Sequence, residues 1–597
     1  MPETRYWDRT DSFDEKLRLL EAAVKAKDYR LVRALAHSIR NTAHQAQHND
    51  ESAPTPIVPP SQSQPVSALP QPWQQYARPW SHFQSITLDE TTGQNRPPEP
   101  IELNLSVPAA QCASLARELR IVRTTGGTLR EIPCQVFAEI VRGDTRSARV
   151  LFFASGPAHQ RQSYLLFYGN PDAELPAYIT DLETRGEGFA LDIENDFFRA
   201  RLSRQMGQLE RFTIKREHGL ELFAGGEGHG EPPGIDWAHD YVTSGNLQKM
   251  RITLWDTCPD YEVVRGPLFT SIRRWGFPYS PVHPVFSPSR IHVDVEYRFY
   301  AGLPWFHKLG RMTAVKAVEA DALRDDEWVF SGQSFTDMLW MGPDGKMRTG
   351  PVDPKFNDDL WAVGFFHRES KDSFVALFLD HRADGLPRVR HNGSPQMFYR
   401  WHGHVWSRYP LPGKEVPAGA VLHQKNAYVS IPFQNDGATQ LENLRHRLLH
   451  PYTVSPGDPD RATIQTQQTR LARPGEAGDS PISKQALWDA LRTCKDEQLY
   501  RSDINVVDLG LVYDIRVRGD VVHVLMTMPH RGRPLIGYFT YGSGGNSMPV
   551  RQTLMKVPGV RHVVVEQTWE PHWNSNHLTA EGRRKLGLSG AGLQAGA

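Results

Sequence analysis

The run IHVDVEYRFY, Ile291 to Tyr300, decides the fold class because its alternation is unbroken. Ile291, Val293, Val295, Tyr297 and Phe299 fall on one face, and His292, Asp294, Glu296, Arg298 and Tyr300 on the other. That is the period-two signature of a strand with one core face and one wet face. Working outward, GFALDIENDFFRARLSRQMGQLERFTIK and DYEVVRGPLFTSIRRWG precede it, and SFVALFLDHR, MFYRWHGHVW and AYVSIPF follow, so residues 186–455 read as one large antiparallel β region. Further upstream, IELNLSV, EIPCQVFAEIV, ARVLFFA and SYLLFYGNP are short strands separated by Gly, Asp and Pro turns, the pattern of a β-sandwich over 98–185. The expected class is multidomain and mainly β.

The flanks differ in period. Residues 1–47 place Leu17, Leu20 and Val24, then Leu31, Leu35 and Ile39, at helical spacing behind a capping-box pattern at Ser12-Phe-Asp-Glu15. A helical hairpin broken near Lys27-Asp28 is expected. It cannot bury its apolar stripe alone, so it either docks on the body or pairs with another chain in a homo-oligomer. Residues 48–97 are rich in Pro, Gln and Ser and read as a linker or surface arm. A second linker spans 456–480, and 481–590 alternate helix (SKQALWDALRTC, PVRQTLMKV) with strand (LVYDIRVRG, VVHVLMTMP, HVVVEQTW), a small α+β domain.

Composition excludes several function classes. At 597 residues the chain exceeds the size of a single core, and its 68 basic residues equal its 68 acidic ones. No global basic field is present to hold a phosphate backbone, so nucleic acid is not an expected partner. No signal-peptide core opens the chain and no long uncharged apolar run crosses it, so a cytoplasmic protein without a membrane partner is expected. The four cysteines, Cys112, Cys134, Cys258 and Cys494, form no CxxC pair, so a cysteine-ligated metal would need a second protein. Motifs for serine hydrolases, P-loop nucleotide enzymes and zincin proteases are absent from the sequence.

Chemistry, where the middle region carries it, is expected from histidine and aromatic residues. Strand alternation over Tyr399–Arg408 puts Arg400, His402, His404 and Trp406 on one face. Two imidazoles at that spacing either share a divalent metal ion, with Asp380, His381, His307 or His367 as a further ligand, or simply solvate a sheet face. The loop GGEGHGEPPGIDWAHD adds His229, His239 and Asp240 as an acid–base set and Trp237 as a stacking platform, with loop solvation as the plainer alternative.

Two family resemblances extend these readings. INVVDLGLVYDI (504–515), VVHVLMTM, VPGVRHVVVE (557–566), WEPHW and LTAEGRRKLGL together resemble the iron–sulfur assembly family that includes the phenylacetate-oxygenase maturation protein. The resemblance implies a protein partner for the C-terminal domain. Asn505, Val507, Asp508, Leu509 and Gly510 keep the family segment, whereas the loop that carries a reactive cysteine in that family reads Met526-Thr-Met-Pro-His530-Arg531-Gly-Arg533 here. His530, Arg531 and Arg533 would suit an anion or an acidic partner surface instead. In the middle region, Asn195-Asp196-Phe197-Phe198 and Gly207-Gln208-Leu209 resemble the β-supersandwich grammar of mutarotase-type carbohydrate-active proteins. Two functions then stay open. One is an enzyme of the lyase or hydrolase type acting on a carbohydrate or other polar organic substrate by histidine–carboxylate or metal-assisted chemistry. The other is a non-catalytic accessory or scaffold subunit whose iron–sulfur-assembly-like domain binds a partner protein.

Overall fold

A computed structural model describes residues 7–9, 13–48, 62–125, 128–204, 207–216, 221–223, 260–277, 291–319, 326–331, 335–351, 360–386, 393–394, 403–408, 415–457, 482–495, 503–518, 520–528, 550–568 and 573–588. Strand Ile291–Tyr300 lies inside a ten-stranded antiparallel sheet, between Phe269–Gly276 and Trp305–Ala314. The sheet continues through Val421–Val429 and Ser373–Asp384 to Met347–Gly350. An eight-stranded sheet that includes Ala190–Glu194, Phe198–Leu202 and Leu209–Ile214 supplies the other half of the core. Phe198 and Phe212 meet Phe299, Phe306 and Phe374 with ring centroids 5.2–6.0 Å apart. Such spacing adds aromatic pairing to the burial of large apolar area.

Asn195 shows why the turn before Phe198 is polar yet buried. Its Oδ1 accepts from the amides of Phe197 and Phe198, and its Nδ2 donates to the carbonyls of Tyr300 and Leu303 at 2.9 Å. The side chain thus closes one sheet and ties it to the other.

The N-terminal sandwich is larger than its sequence pattern indicates. Residues 62–97, read as part of a linker, instead contribute helix Gln71–Ala77, with Trp73 fully buried, and strand His82–Asp89. That strand pairs with Arg161–Tyr168 on one edge and with Thr453–Pro456 on the other. The segment folds because Phe83, Ile86 and Leu88 are enclosed by the sandwich, a long-range pairing that local composition hides. Residues 49–61 lie outside the described residues.

The N-terminal hairpin forms as helices Phe13–Ala26 and Tyr29–His48, with Lys27 at φ +56° in the break. It docks on the body: Lys16 Nζ and Ser38 Oγ reach the same Asp260 oxygen at 2.8 and 2.7 Å. Asp260 opens the strand next to Phe269–Gly276, so the docking follows from one buried carboxylate with two donors. Ser12, the expected cap, is outside the described residues.

Candidate functional site

The polar face of Ile291–Tyr300 is covered rather than wet. The N-terminal sandwich lies over part of it, with Gln135 taking the amides of Leu268 and Phe269 on its Oε1 and donating to the Phe269 carbonyl. Glu102 from the sandwich meets Arg298 Nη1 at 2.8 Å, and Arg149 pairs with the same carboxylate. Arg298 Nε also holds Glu296 at 2.7 Å, and Ser271 Oγ donates to Glu296 at 2.6 Å. Burial alone would raise the Glu296 carboxyl, but Arg298 and Arg149 outweigh it and hold the group at about 2.

Next to this network, His307 Nδ1 lies 3.0 Å from the Tyr300 hydroxyl, and Trp305 packs edge-on at 4.8 Å. Burial, then Lys425 and Arg298, push the His307 pKa well below the ordinary histidine value, so the ring is neutral. Its Nε2 is buried with no hydrogen-bond partner among the described residues. Lys425 is itself lowered, by burial first and by Arg298 second. A fixed neutral imidazole beside a tyrosine hydroxyl and a desolvated amine is the raw material of acid–base chemistry.

The residues expected to carry chemistry are placed differently. His404 and Trp406 sit on strand Gly403–Arg408, opposite Phe330 and Trp328 in the eight-stranded sheet. Asp380 and His381 belong to Ser373–Asp384 in the ten-stranded sheet, so the two segments are not neighbouring strands. Strand alternation also sends Asp380 and His381 to opposite faces. Asp380 pairs with Arg382 at 3.0 Å, and His381 Nε2 contacts Asn426 Oδ1 at 2.7 Å. His367 closes a turn, its Nδ1 accepting from the amides of Glu369 and Ser370. Among the described residues, no group of three or more His, Cys, Asp or Glu side chains is disposed to hold a metal ion. Arg400, His402, His229, Trp237, His239, Asp240, His530, Arg531 and Arg533 lie outside the described residues. Sequence reading reached His307 only as a spare ligand, because Lys425, one of the groups that set its state, comes beside it only when strand Val421–Val429 pairs with Trp305–Ala314.

In the C-terminal module, strands Val512–Arg518, Val521–Met526 and His562–Gln567 form a small sheet packed on helices Lys484–Leu491 and Val550–Met555. Asn505 Oδ1 accepts from the amides of Val507 and Asp508, and its Nδ2 donates to Asp508 at 2.7 Å. Asp508 in turn accepts from Thr579 Oγ1 at 2.9 Å, which anchors helix Ala580–Lys585. Gly510 has φ +65°, and a Cβ there would lie 2.0 Å from the His577 carbonyl. The retained segment therefore builds the fold of the module. Cys494 is 1% exposed inside the same core, and burial raises its thiol pKa. Cys112 and Cys134 are buried free thiols too.

The module is seated on the eight-stranded sheet through its edge strand. Arg211 donates to the Val565 carbonyl, and Arg551 donates to the carbonyls of Val563 and Arg216 at 3.3 and 3.1 Å. Covering an exposed edge in this way removes a template for stray strand pairing.

A model of the iron–sulfur cluster assembly protein family matches residues 484–538. An Fe–S protein maturation auxiliary factor of Porphyromonas gingivalis is 33% identical over 99 residues, which are 16% of this chain and 85% of that protein. A solved domain of unknown function from Bacillus anthracis is 26% identical, covering 18% of this chain and 92% of its own, with a TM-score of 0.15. Galactose 1-epimerase from Lactobacillus acidophilus is similar over 43% of this chain and 99% of its own, at 8% identity and a TM-score of 0.24.

Proposed function

Because the chain belongs, through its C-terminal module, to the iron–sulfur cluster assembly protein family, we propose that it is an accessory factor of iron–sulfur protein maturation that works by holding a partner protein. The observation that carries this reading is the burial of Cys494, the only cysteine of the module, in its apolar core. Thiolates are the usual ligands of such clusters, and a buried thiol with a raised pKa is a poor one. The β body then serves as the platform on which Arg211 and Arg551 fix the module in one orientation toward a partner. The test is complementation: cells lacking the chain should lose activity of iron–sulfur enzymes, and a Cys494→Ala chain should restore it as well as the parent does. A folded Cys494→Ala chain that fails to restore it would overturn the proposal.

A second reading is favoured by one specific feature, the buried His307 Nε2 beside Tyr300 and Lys425. There the β body would process a polar organic substrate such as a carbohydrate, with neutral His307 taking a proton and Tyr300 holding its other nitrogen. Loss of turnover in His307→Gln with unchanged complementation of iron–sulfur enzymes would separate the two.

A further inference from the structure

We infer that the outer face of helix Phe13–Ala26 is an interaction surface for a second copy of this chain, paired across a two-fold axis with the two helices antiparallel. The helix is docked the wrong way round for its composition. Lys16 and Ala23, each 3% exposed, face inward, and Lys16 Nζ reaches buried Asp260 at 2.8 Å. Phe13, Leu17 and Val24 are instead 40%, 38% and 57% exposed. With half-buried Leu20 between them they make an apolar stripe at helical spacing. Burying a lysine costs more than burying a leucine, so docking alone would turn this stripe inward. An apolar stripe kept on the outside marks a contact with another molecule.

The spacing of the stripe points to its occupant. Positions 13, 17, 20 and 24 are separated by steps of four, three and four, which read the same from either end. A second copy laid antiparallel therefore sets Phe13 against Val24 and Leu17 against Leu20, apolar on apolar throughout, with each contact repeated by the two-fold. Charge agrees with this pairing. Asp14, Arg18, Glu21 and Lys25 are all exposed, and helical periodicity puts them on the flank of the stripe opposite Lys16 and Ala23. In the antiparallel pair Asp14 comes near the partner's Lys25, and Glu21 near the partner's Arg18. Arg18 also meets Glu15 of its own helix at 3.2 Å, an exposed pair that leaves guanidinium donors to spare. The helix carries three acidic and three basic residues, so two copies meet without net repulsion, and their opposed dipoles attract. A helix of 14 residues is about 21 Å long and brings four apolar side chains, less than a standard interface, so the dimer forms and dissociates with concentration.

The test is sedimentation of the full chain over a wide concentration range. Mass should rise from monomer to dimer and stop there, since a two-fold contact closes on itself. Leu17→Glu should raise the dimer dissociation constant about a hundred-fold, because each dimer buries two copies of Leu17 and loses roughly ten-fold for each. Should that variant lose its helix, charge reversal leaves the stripe intact and reads the same contact. An Asp14→Lys, Glu21→Lys chain and an Arg18→Glu, Lys25→Glu chain should each stay monomeric alone and dimerise when mixed. A parent chain that is monomeric at every concentration would overturn the inference, and slow hydrogen exchange over residues 13–24 in that monomer would assign the stripe to a cover from its own chain. Mass growing past the dimer, a dimer unaffected by Leu17→Glu, or charge-reversed chains that pair as readily alone as when mixed would overturn it too.

Discussion

Replacing Arg211 by methionine should loosen the C-terminal module without unfolding the β body. The Arg211 side chain is 7% exposed and its guanidinium serves the Val565 carbonyl, itself on a residue 4% exposed. Methionine keeps most of the apolar stem and removes the donor, leaving a buried carbonyl unpaired at a cost of about 1–3 kcal/mol. Expressed as a docking equilibrium, that is roughly a five- to hundred-and-fifty-fold fall in the ratio of docked to undocked module. Hydrogen exchange reads it directly: amides of strand His562–Gln567 should exchange faster by that factor, while those of Ile291–Tyr300 keep their protection. Arg551→Met should act in the same direction, since Arg551 bridges Val563 and Arg216. The double variant should cost less than the two single costs added, because a module already released has no second contact to lose. Unchanged exchange over 562–567 in Arg211→Met would refute the reasoning.

Other perturbations address the body. Arg298→Met takes the direct ion-pair partner from buried Glu296 and leaves Glu102 with Arg149 alone, and thermal or denaturant unfolding should register a loss of about 3–5 kcal/mol. Asn195→Ala orphans two amides and two carbonyls at once and should cost at least as much as any single cap, about 2 kcal/mol or more in the same assay. His562 carries a pH signature: burial, then Arg551, lower its pKa from 6.5 to about 4. The folded state therefore binds this proton more weakly than the unfolded one. Its contribution is complete above pH 6.5 and lost as pH falls toward 4, so His562→Gln should flatten the denaturant midpoint between those values.

Much of the β architecture was legible because alternation is a local property. Ile291–Tyr300 announced both its state and its inward set, and Val293, Val295, Tyr297 and Phe299 do line the core. What covers the other face was not legible, since Glu102, Arg149 and Gln135 arrive from a module far upstream. The same limit hid strand His82–Asp89, whose partner Thr453–Pro456 returns only after the whole middle region. Motif reading fared best where backbone chemistry dictates residue type, as at Asn505, Asp508 and Gly510, whose turn, anchor and positive φ need those side chains. For catalysis it followed histidine density instead, which led to His402 and His404. His307 is marked only by burial and by Tyr300, a residue on the adjacent strand.

The most direct test of the partner-holding account is anaerobic cluster reconstitution of the full chain and of Cys494→Ala, scored by iron and acid-labile sulfide per chain. The two proteins should give the same result, with no thiolate-to-iron absorption that depends on position 494. A stoichiometric cluster present in the parent and lost in a folded Cys494→Ala chain would contradict it.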